Sequence, residues 1–240
     1  MEDFGADKAH LGNLPLHVQV SEMLIREIRA GILLDGEKLA PERKLAEELG
    51  IAVGTLRKAL ADLATKGFLD RVQGSGNYIR DNTDGENIYA FFHLELVTGG
   101  GLPTAELLSL DKLSKPKSLP KFGAADFGFR LRRLRQLSGK DAACEEIWLD
   151  GSVTNHIEKA DISDSLYLTY REKFGRIISR AVDQVGVSDC PKWCPAEFGR
   201  NDRLGWGFIE RISTDQLGKD IEYSRTWFDP GLARFTARWK

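Results

Sequence analysis

The chain is short of the residues that build metal centres, disulfide scaffolds and catalytic sets. It has three cysteines and four histidines in 240 residues. An odd, low count of Cys144, Cys190 and Cys194 points to a reducing cytosol rather than a disulfide framework. Cys190 and Cys194 are spaced C-x3-C with no second pair and no nearby histidine, so metal ligation is not expected. His10, His17, His93 and His156 are scattered. No Ser/His/Asp or Cys/His set stands out, and no Gly-rich loop cradles a phosphate; neither a cofactor nor an enzymatic activity is expected. No stretch reaches the roughly 18 apolar residues that a membrane helix needs. The acidic start MEDFGADKAH lacks the basic and apolar regions of a signal peptide, so the expected location is cytoplasmic. A basic excess is also missing. Lys and Arg number 34 against 36 Asp and Glu, the net charge is -2 and the pI about 6.1, which argues against non-specific polyanion binding but not against a local site.

What is present is enough apolar sequence, 42%, for two domains with separate cores. Residues 1–12 read as a loose tail. From Leu14, Val18, Val20, Met23, Leu24 and Ile28 recur at helical spacing and Gly31 stops the run. Asp35-Gly36 marks a turn. Pro41 opens a second helix, Glu42 to Leu49, which Gly50 ends. A third helix covers 54–66, with Leu56, Leu60 and Leu63 on one side. Phe68 to Val72 and Asn77 to Arg80 flank Gln73-Gly74-Ser75-Gly76 and read as a hairpin. The polar segment 81–87, DNTDGEN, is the expected linker. Beyond it, strand-like segments lie at 89–97, 104–113, 127–137, 142–149, 176–187, 205–212 and 220–228. Tight connections at 138–141 and 214–220 suggest hairpins. Helices are expected near 115–122, 156–160 and 164–174. The second domain is thus read as α+β with a mostly antiparallel sheet.

Three short helices and a glycine-tipped hairpin within 13–80 make a winged helix-turn-helix. Ile51 can plug the core between helices, while Leu56, Leu60 and Leu63 point inward. Thr55, Arg57 and Lys58 are then left outside, near the start of a helix shaped to enter a major groove. Arg can donate two bonds to a guanine edge; Thr suits a phosphate or a thymine methyl. Gly74 and Gly76 let the hairpin backbone approach nucleic acid closely. Ten basic residues meet nine acidic ones in this domain. Arg43, Lys44, Arg57, Lys58 and Arg71 can share one face, but so few cations imply modest affinity per domain and reliance on dimerisation. An ordinary three-helix bundle with solvated charges has the same periodicity.

Residues 14–80 strongly resemble the DNA-binding domain of the GntR family of bacterial transcription regulators. The motifs are Pro15-Leu16, Gly31, Gly36-x-x-Leu39, Glu42-Arg43-x-Leu45-Ala46, Leu49-Gly50, Thr55-x-Arg57-x-Ala59-Leu60, Leu63, Gly67 and Gln73-Gly74-x-Gly76. The resemblance implies DNA contacts from Arg43, Thr55, Arg57 and the wing glycines; Lys58 and Arg71 join this candidate set by position. Two departures are plain. Ala40-Pro41 stands where the family usually has Pro-Ser, and Ala52-Val53 where it commonly has Ser-Arg. The missing Arg removes a base reader worth roughly 1–3 kcal/mol of discrimination.

The second domain carries charge where alternation predicts core. In 129–137, FRLRRLRQL, one face is Phe129, Leu131, Arg133, Arg135 and Leu137; the other, Arg130, Arg132, Leu134 and Gln136, is expected to be mainly solvated. Across a hairpin, Ala143, Glu145, Ile147 and Leu149 share a face. A buried guanidinium needs a carboxylate or a ligand anion. The set is either a cross-strand ion pair or a pocket for an anionic small molecule. Glu222 lies with Asp220, Ser224 and Thr226, in either a polar cleft or solvent.

Residues 89–238 look like the UTRA effector-binding domain of the HutC subfamily of GntR regulators, through Pro103-Thr104-x-Glu106, Arg133-Leu134-Arg135, Gly139 to Glu145, Ser165-Leu166-Tyr167 and Ile221-Glu222-Tyr223-Ser224-Arg225. That resemblance implies a chorismate-lyase-like fold within 88–240 and a homodimer. It implies that Arg133, Arg135, Ser165 and Tyr167 hold an anionic group, and that Glu145 and Glu222 hold hydroxyl or amine groups. CPKWCPAEFG (190–199) departs from the family's regular helix, which Pro195 would interrupt. The expectation for the whole chain is a regulator, read as a repressor, that binds palindromic double-stranded operator DNA and is released by a small anionic metabolite such as a phosphosugar or organic acid; the alternatives are a constitutive DNA-binding protein whose second domain only dimerises and, by fold analogy alone, a lyase-like enzyme.

Overall fold

The computed structural model describes residues 15–80, 91–199 and 205–238. The expected tail at 1–12 and linker at 81–87 lie outside them. The first unit opens with α1 (Leu16–Arg29), α2 (Glu42–Glu48) and α3 (Val53–Thr65), followed by the antiparallel hairpin β1 (Leu69–Val72) and β2 (Gly76–Ile79). Leu56, Leu60 and Leu63 are buried against Val20, Leu24 and Ile28 of α1, with Ile51 packed on the cluster. Gly50 turns the chain out of α2 at φ 64°, a conformation that an L side chain resists. Residues 36–39 lie along β2: Leu39 donates to the Asn77 carbonyl at 2.9 Å, and Lys38 bridges Tyr78.

The second unit is built on a six-stranded antiparallel sheet in the order β4-β5-β6-β9-β8-β7. Its strands are β4 (Pro103–Ser114), β5 (Phe127–Leu137), β6 (Lys140–Asp150), β7 (Ile178–Ser188), β8 (Trp206–Asp215) and β9 (Asp220–Phe228). Two short strands, β3 (Leu94–Leu96) and β10 (Ala233–Phe235), pair beside it. The β5–β6 hairpin turns on Ser138 and Gly139, both with positive φ, as a two-residue connection requires. One sheet face is covered by α4 (Leu166–Phe174), whose Leu166 and Tyr170 pack on Leu131, Ile147, Leu149 and Ile221.

Three expectations are corrected. The segment 89–97 forms a strand only over Leu94–Leu96 among its described residues. The stretch 115–122 is not helical. Pro116 and Pro120 break its ladder, and the chain instead wraps a buried knot: Asp150 accepts from Lys115 and from the Ala124 and Ala125 amides, and Lys115 also donates to the Phe122 carbonyl at 2.8 Å. The expected helix at 156–160 is a single 3-10 turn, Lys159–Asp161.

The second sheet face is also not the solvated one expected. Leu134, Cys144, Trp206 and Trp227 form a core under residues 190–198, and Phe122, Trp148 and Tyr223 form another under 115–126. Arg132 lies 4.8 Å from the Trp193 ring and pairs with Glu146 at 2.9 Å. The signal was in the alternation of Trp148, Tyr223, Trp227, Trp206 and Phe208 on partner strands, since aromatic rings on both sheet faces need two covering layers.

Candidate functional site

Cross-strand register assembles the pocket. Arg133 stands opposite Glu145, Glu145 opposite Thr226, and Thr226 opposite Ile209. The next row on the same face runs through Ile147, Ser224 and Arg211, and the next through Leu149, Glu222 and Ser213. Helix α4 closes this face, and the sheet and helix enclose a cavity of about 90 Å³. Arg133, Arg135, Glu145, Ser165, Tyr167 and Glu222, from four elements, all line it.

The arginines are already partnered. Both guanidiniums donate to Glu145, with distances of 2.7 and 3.0 Å from Arg133 and 3.1 and 3.3 Å from Arg135. Each also donates to the Asp164 carbonyl, at 3.3 and 3.1 Å. Burial would push the Glu145 carboxyl up, but the two guanidiniums outweigh it and hold it at about 2. Burial pulls Arg133 down, against the pull of Glu145. A guanidinium has five N–H groups, and three bonds from each leave two for another acceptor.

Glu222 is the pocket's second acid and is in the polar cleft, not in solvent. It is buried at 2% exposure and accepts from three hydroxyls: Tyr170 at 2.6 Å, Ser213 at 2.9 Å and Tyr167 at 3.3 Å. Burial raises its pKa despite these bonds, and raises Tyr167 and Tyr170 as well. Ser165 is the N-cap of α4, accepting from the Leu168 amide at 3.4 Å. Sequence reasoning missed Arg211, Asp164 and the segment 91–93. Arg211 makes a bidentate pair with Asp183 at 2.6 and 2.7 Å. Its strand mixes small, apolar and charged residues, so alternation gave no clear inward face. Asp164 sits in a loop, where no period applies.

On the first unit, Arg43, Lys44, Arg57, Lys58, Arg71 and Gly74 are exposed, with Thr55 and Gly76 half-buried. Helix α3 is tied to both neighbours. Arg57 pairs with Glu42 at 2.6 Å, which brings the start of α2 to it. Arg71 of the wing donates to the Arg57 carbonyl at 3.3 Å. Ala52 caps α3 with no side-chain acceptor, leaving first-turn N–H groups of the kind that a phosphate satisfies. At the wing tip Gly74 has φ 75° and Gly76 φ 134°, backbone conformations that L side chains rarely adopt, and around Gly74 a Cβ would meet nothing within 4 Å.

All three cysteines converge, which spacing alone did not show. Cys144 of β6 joins the loop residues Cys190 and Cys194 in one aromatic cluster. They are free thiols. A hydrogen bond with Cys144, then burial, raises Cys194; burial and Cys194 push Cys190 up to about 12. Among the described residues no group of three His, Cys, Asp or Glu side chains is placed to hold a metal ion, and no helix is long and apolar enough to cross a membrane.

Two family descriptions match this arrangement. Residues 16–79 match "Bacterial regulatory proteins, gntR family", and residues 99–231 match the UTRA domain. The chain belongs to the GntR family. The HTH-type transcriptional regulator SmoD of Agrobacterium fabrum is 53% identical over 227 residues, 95% of this chain and 97% of that one. The mannosyl-D-glycerate transport/metabolism system repressor MngR of Escherichia coli is 24% identical, over 94% of this chain and 96% of its own. The crystal structure of the possible regulator YydK of Bacillus subtilis shares the fold, with a TM-score of 0.54 at 19% identity, covering 95% of this chain and all of that one. The GntR winged helix and UTRA domain make this chain a HutC-type transcription regulator, not an enzyme. Regulators of this type bind DNA through the first domain and small-molecule effectors through the second.

Proposed function

We propose that this chain is a metabolite-responsive repressor, with 13–80 as the DNA-binding domain and 88–240 as the effector-binding and dimerisation domain. A homodimer binds a palindromic operator and is released by a small anionic metabolite that carries hydroxyl groups, a phosphosugar or an organic acid. The observation that carries the effector half is the convergence of Arg133, Arg135 and Glu222 in one buried cavity. The spare guanidinium N–H groups suit an oxyanion. Glu222, with Tyr167 and Ser213 beside it, suits ligand hydroxyls. The name of MngR, a repressor of a system handling a glycosylated acid, agrees with both the sign and the ligand class. For DNA, the capless start of α3 takes a phosphate, while Thr55, Arg57 and Lys58 meet the groove with Arg43 and the wing, Arg71, Gly74 and Gly76, at its flanks.

A second reading has a specific observation behind it. Every nitrogen of Arg133 and Arg135 already has an acceptor, as a structural ion pair would. Fluorescence anisotropy on DNA from upstream of the gene, with and without phosphosugars and small carboxylates, separates the two. The expected result is tight binding, relieved by one compound class, with Arg57→Ala weakening DNA affinity by about 1–3 kcal/mol. Unchanged binding by Arg57→Ala would remove it from the interface. A panel without effect on wild type would return the arginines to a structural role.

A further inference from the structure

A carboxylate is held against the face assigned above to DNA. Glu42, the first residue of α2, accepts from Nε of Arg57 on α3 at 2.6 Å. Stability does not explain the pair. The arginine and glutamate side chains are 67% and 30% exposed, and an ion pair so open to water adds little to folding. For DNA binding the carboxylate has a cost, because it repels the phosphates of any approaching duplex. Helix α3 offers few groups that could read a base. Of its outward residues, Val53, Gly54 and Ala61 carry no polar side-chain atom. Thr55 has one hydroxyl, and Lys58 has an ammonium on a flexible stem. Arg57 alone presents N–H groups in a rigid plane. Its neighbours one turn away on α3 are Val53, Gly54, Leu60 and Ala61, so no acid of its own helix can hold it. Glu42 does so from α2. The bond from Nε leaves the four N–H groups of the two Nη nitrogens for other acceptors. The backbone is fixed from the other side, where Arg71 of the wing donates to the Arg57 carbonyl at 3.3 Å.

We propose that Glu42 is a specificity-determining residue for DNA, a positioning residue that touches no base and acts through Arg57. Holding Nε, it turns the two Nη groups to the N7 and O6 acceptors of a guanine in the major groove. A guanidinium already fixed loses less rotamer freedom when it meets the base. In the free protein water screens the pair; a duplex laid over the face removes that water and strengthens it. Where the sequence offers no guanine to Arg57, only the repulsion between Glu42 and the phosphates remains. The carboxylate therefore acts with opposite sign on matched and unmatched DNA. It favours the first through Arg57 and penalises the second by charge. The inference rests on the reading of Arg57 as a DNA contact.

The test compares two duplexes by fluorescence anisotropy with the full-length protein: one that wild type selects from a random library, and a scrambled duplex of the same composition. Glu42→Ala should bind the scrambled duplex more tightly than wild type does and the selected one more weakly, so that the ratio of the two affinities falls about tenfold, the scale of one guanine contact. In an Arg57→Ala background, Glu42→Ala should lower the ratio no further, because nothing is left to position. Replacing guanines of the selected duplex one at a time by 7-deazaguanine, which lacks N7, supplies a readout that a general loosening of α2 would not give. One such replacement should weaken wild type but leave Arg57→Ala and Glu42→Ala unaffected. Should Glu42→Ala misfold, Glu42→Gln keeps a polar side chain at the start of α2, and it should still tighten binding to the scrambled duplex and lower the ratio. An Arg57-dependent ratio that the Glu42 variants leave at the wild-type value overturns the proposal alone, as does a fall of equal size with and without Arg57. A wild-type ratio in Arg57→Ala overturns the DNA role of Arg57 and the proposal with it.

Discussion

Glu145 holds the charge of the α4-covered pocket together, because two buried guanidiniums depend on one carboxylate. Held at about 2, its pKa is below that of the unfolded chain. Its stabilisation is thus complete above the unfolded value, near 4.5, and is lost as pH falls toward 2. The linkage is on the order of 3 kcal/mol. Urea unfolding across that acid range should show a shallower pH slope in Glu145→Gln than in wild type. At neutral pH the same variant should lose about 3–5 kcal/mol, since it leaves two buried cations without their partner. An unchanged slope would show that other acids carry the acid transition. Glu222 has the opposite sign. Its raised pKa favours the folded state at low pH, and that contribution is lost as pH rises.

At the scale of elements, Asp150 explains why 115–126 is an ordered loop without helix. It is fully buried, and its carboxyl is held below the usual range by Lys115, Ser152 and backbone amides that outweigh burial. Gly123 is required beside it: a Cβ there would come within 2.2 Å of the carboxyl. Asp150→Ala should release the loop, cost about 3–5 kcal/mol, and open trypsin cleavage after Lys117 and Lys121. Unchanged proteolysis would show that Phe122, packed on Trp148 and Tyr223, holds the loop alone. The two prolines in this stretch argued against a helix in the sequence itself. The knot that replaces the helix needed a partner, Asp150, 35 positions from Lys115.

For the whole molecule, the sheet ends at β7, which among the described residues pairs only with β8. Val185 and Val187 are 54% and 74% exposed there. An exposed edge strand with apolar side chains is an interaction surface unless something covers it, and a second copy of the chain fits the proposed dimer. Val185→Lys with Val187→Lys should yield a monomer by light scattering and weaken operator binding by tenfold or more, since each domain alone carries few cations. A persistent dimer would move the interface elsewhere.

The sequence by itself determined the two-part organisation, the winged helix and most of the sheet. These follow from local periods and turn chemistry: leucines at i, i+4 and i+7 in α3, glycines where φ is positive, alternation in β5 and β6. It also exposed Arg133, Arg135 and Glu145, because a charge on an apolar strand face breaks the local pattern. Tertiary structure alone decided that Glu222 faces the cleft, that Arg211 and Asp164 join it, that both sheet faces are covered, and that three cysteines and the cavity lie where they do. Each depends on strand order and register between segments far apart in the chain, and a period of two within one strand carries no information about which strand lies beside it.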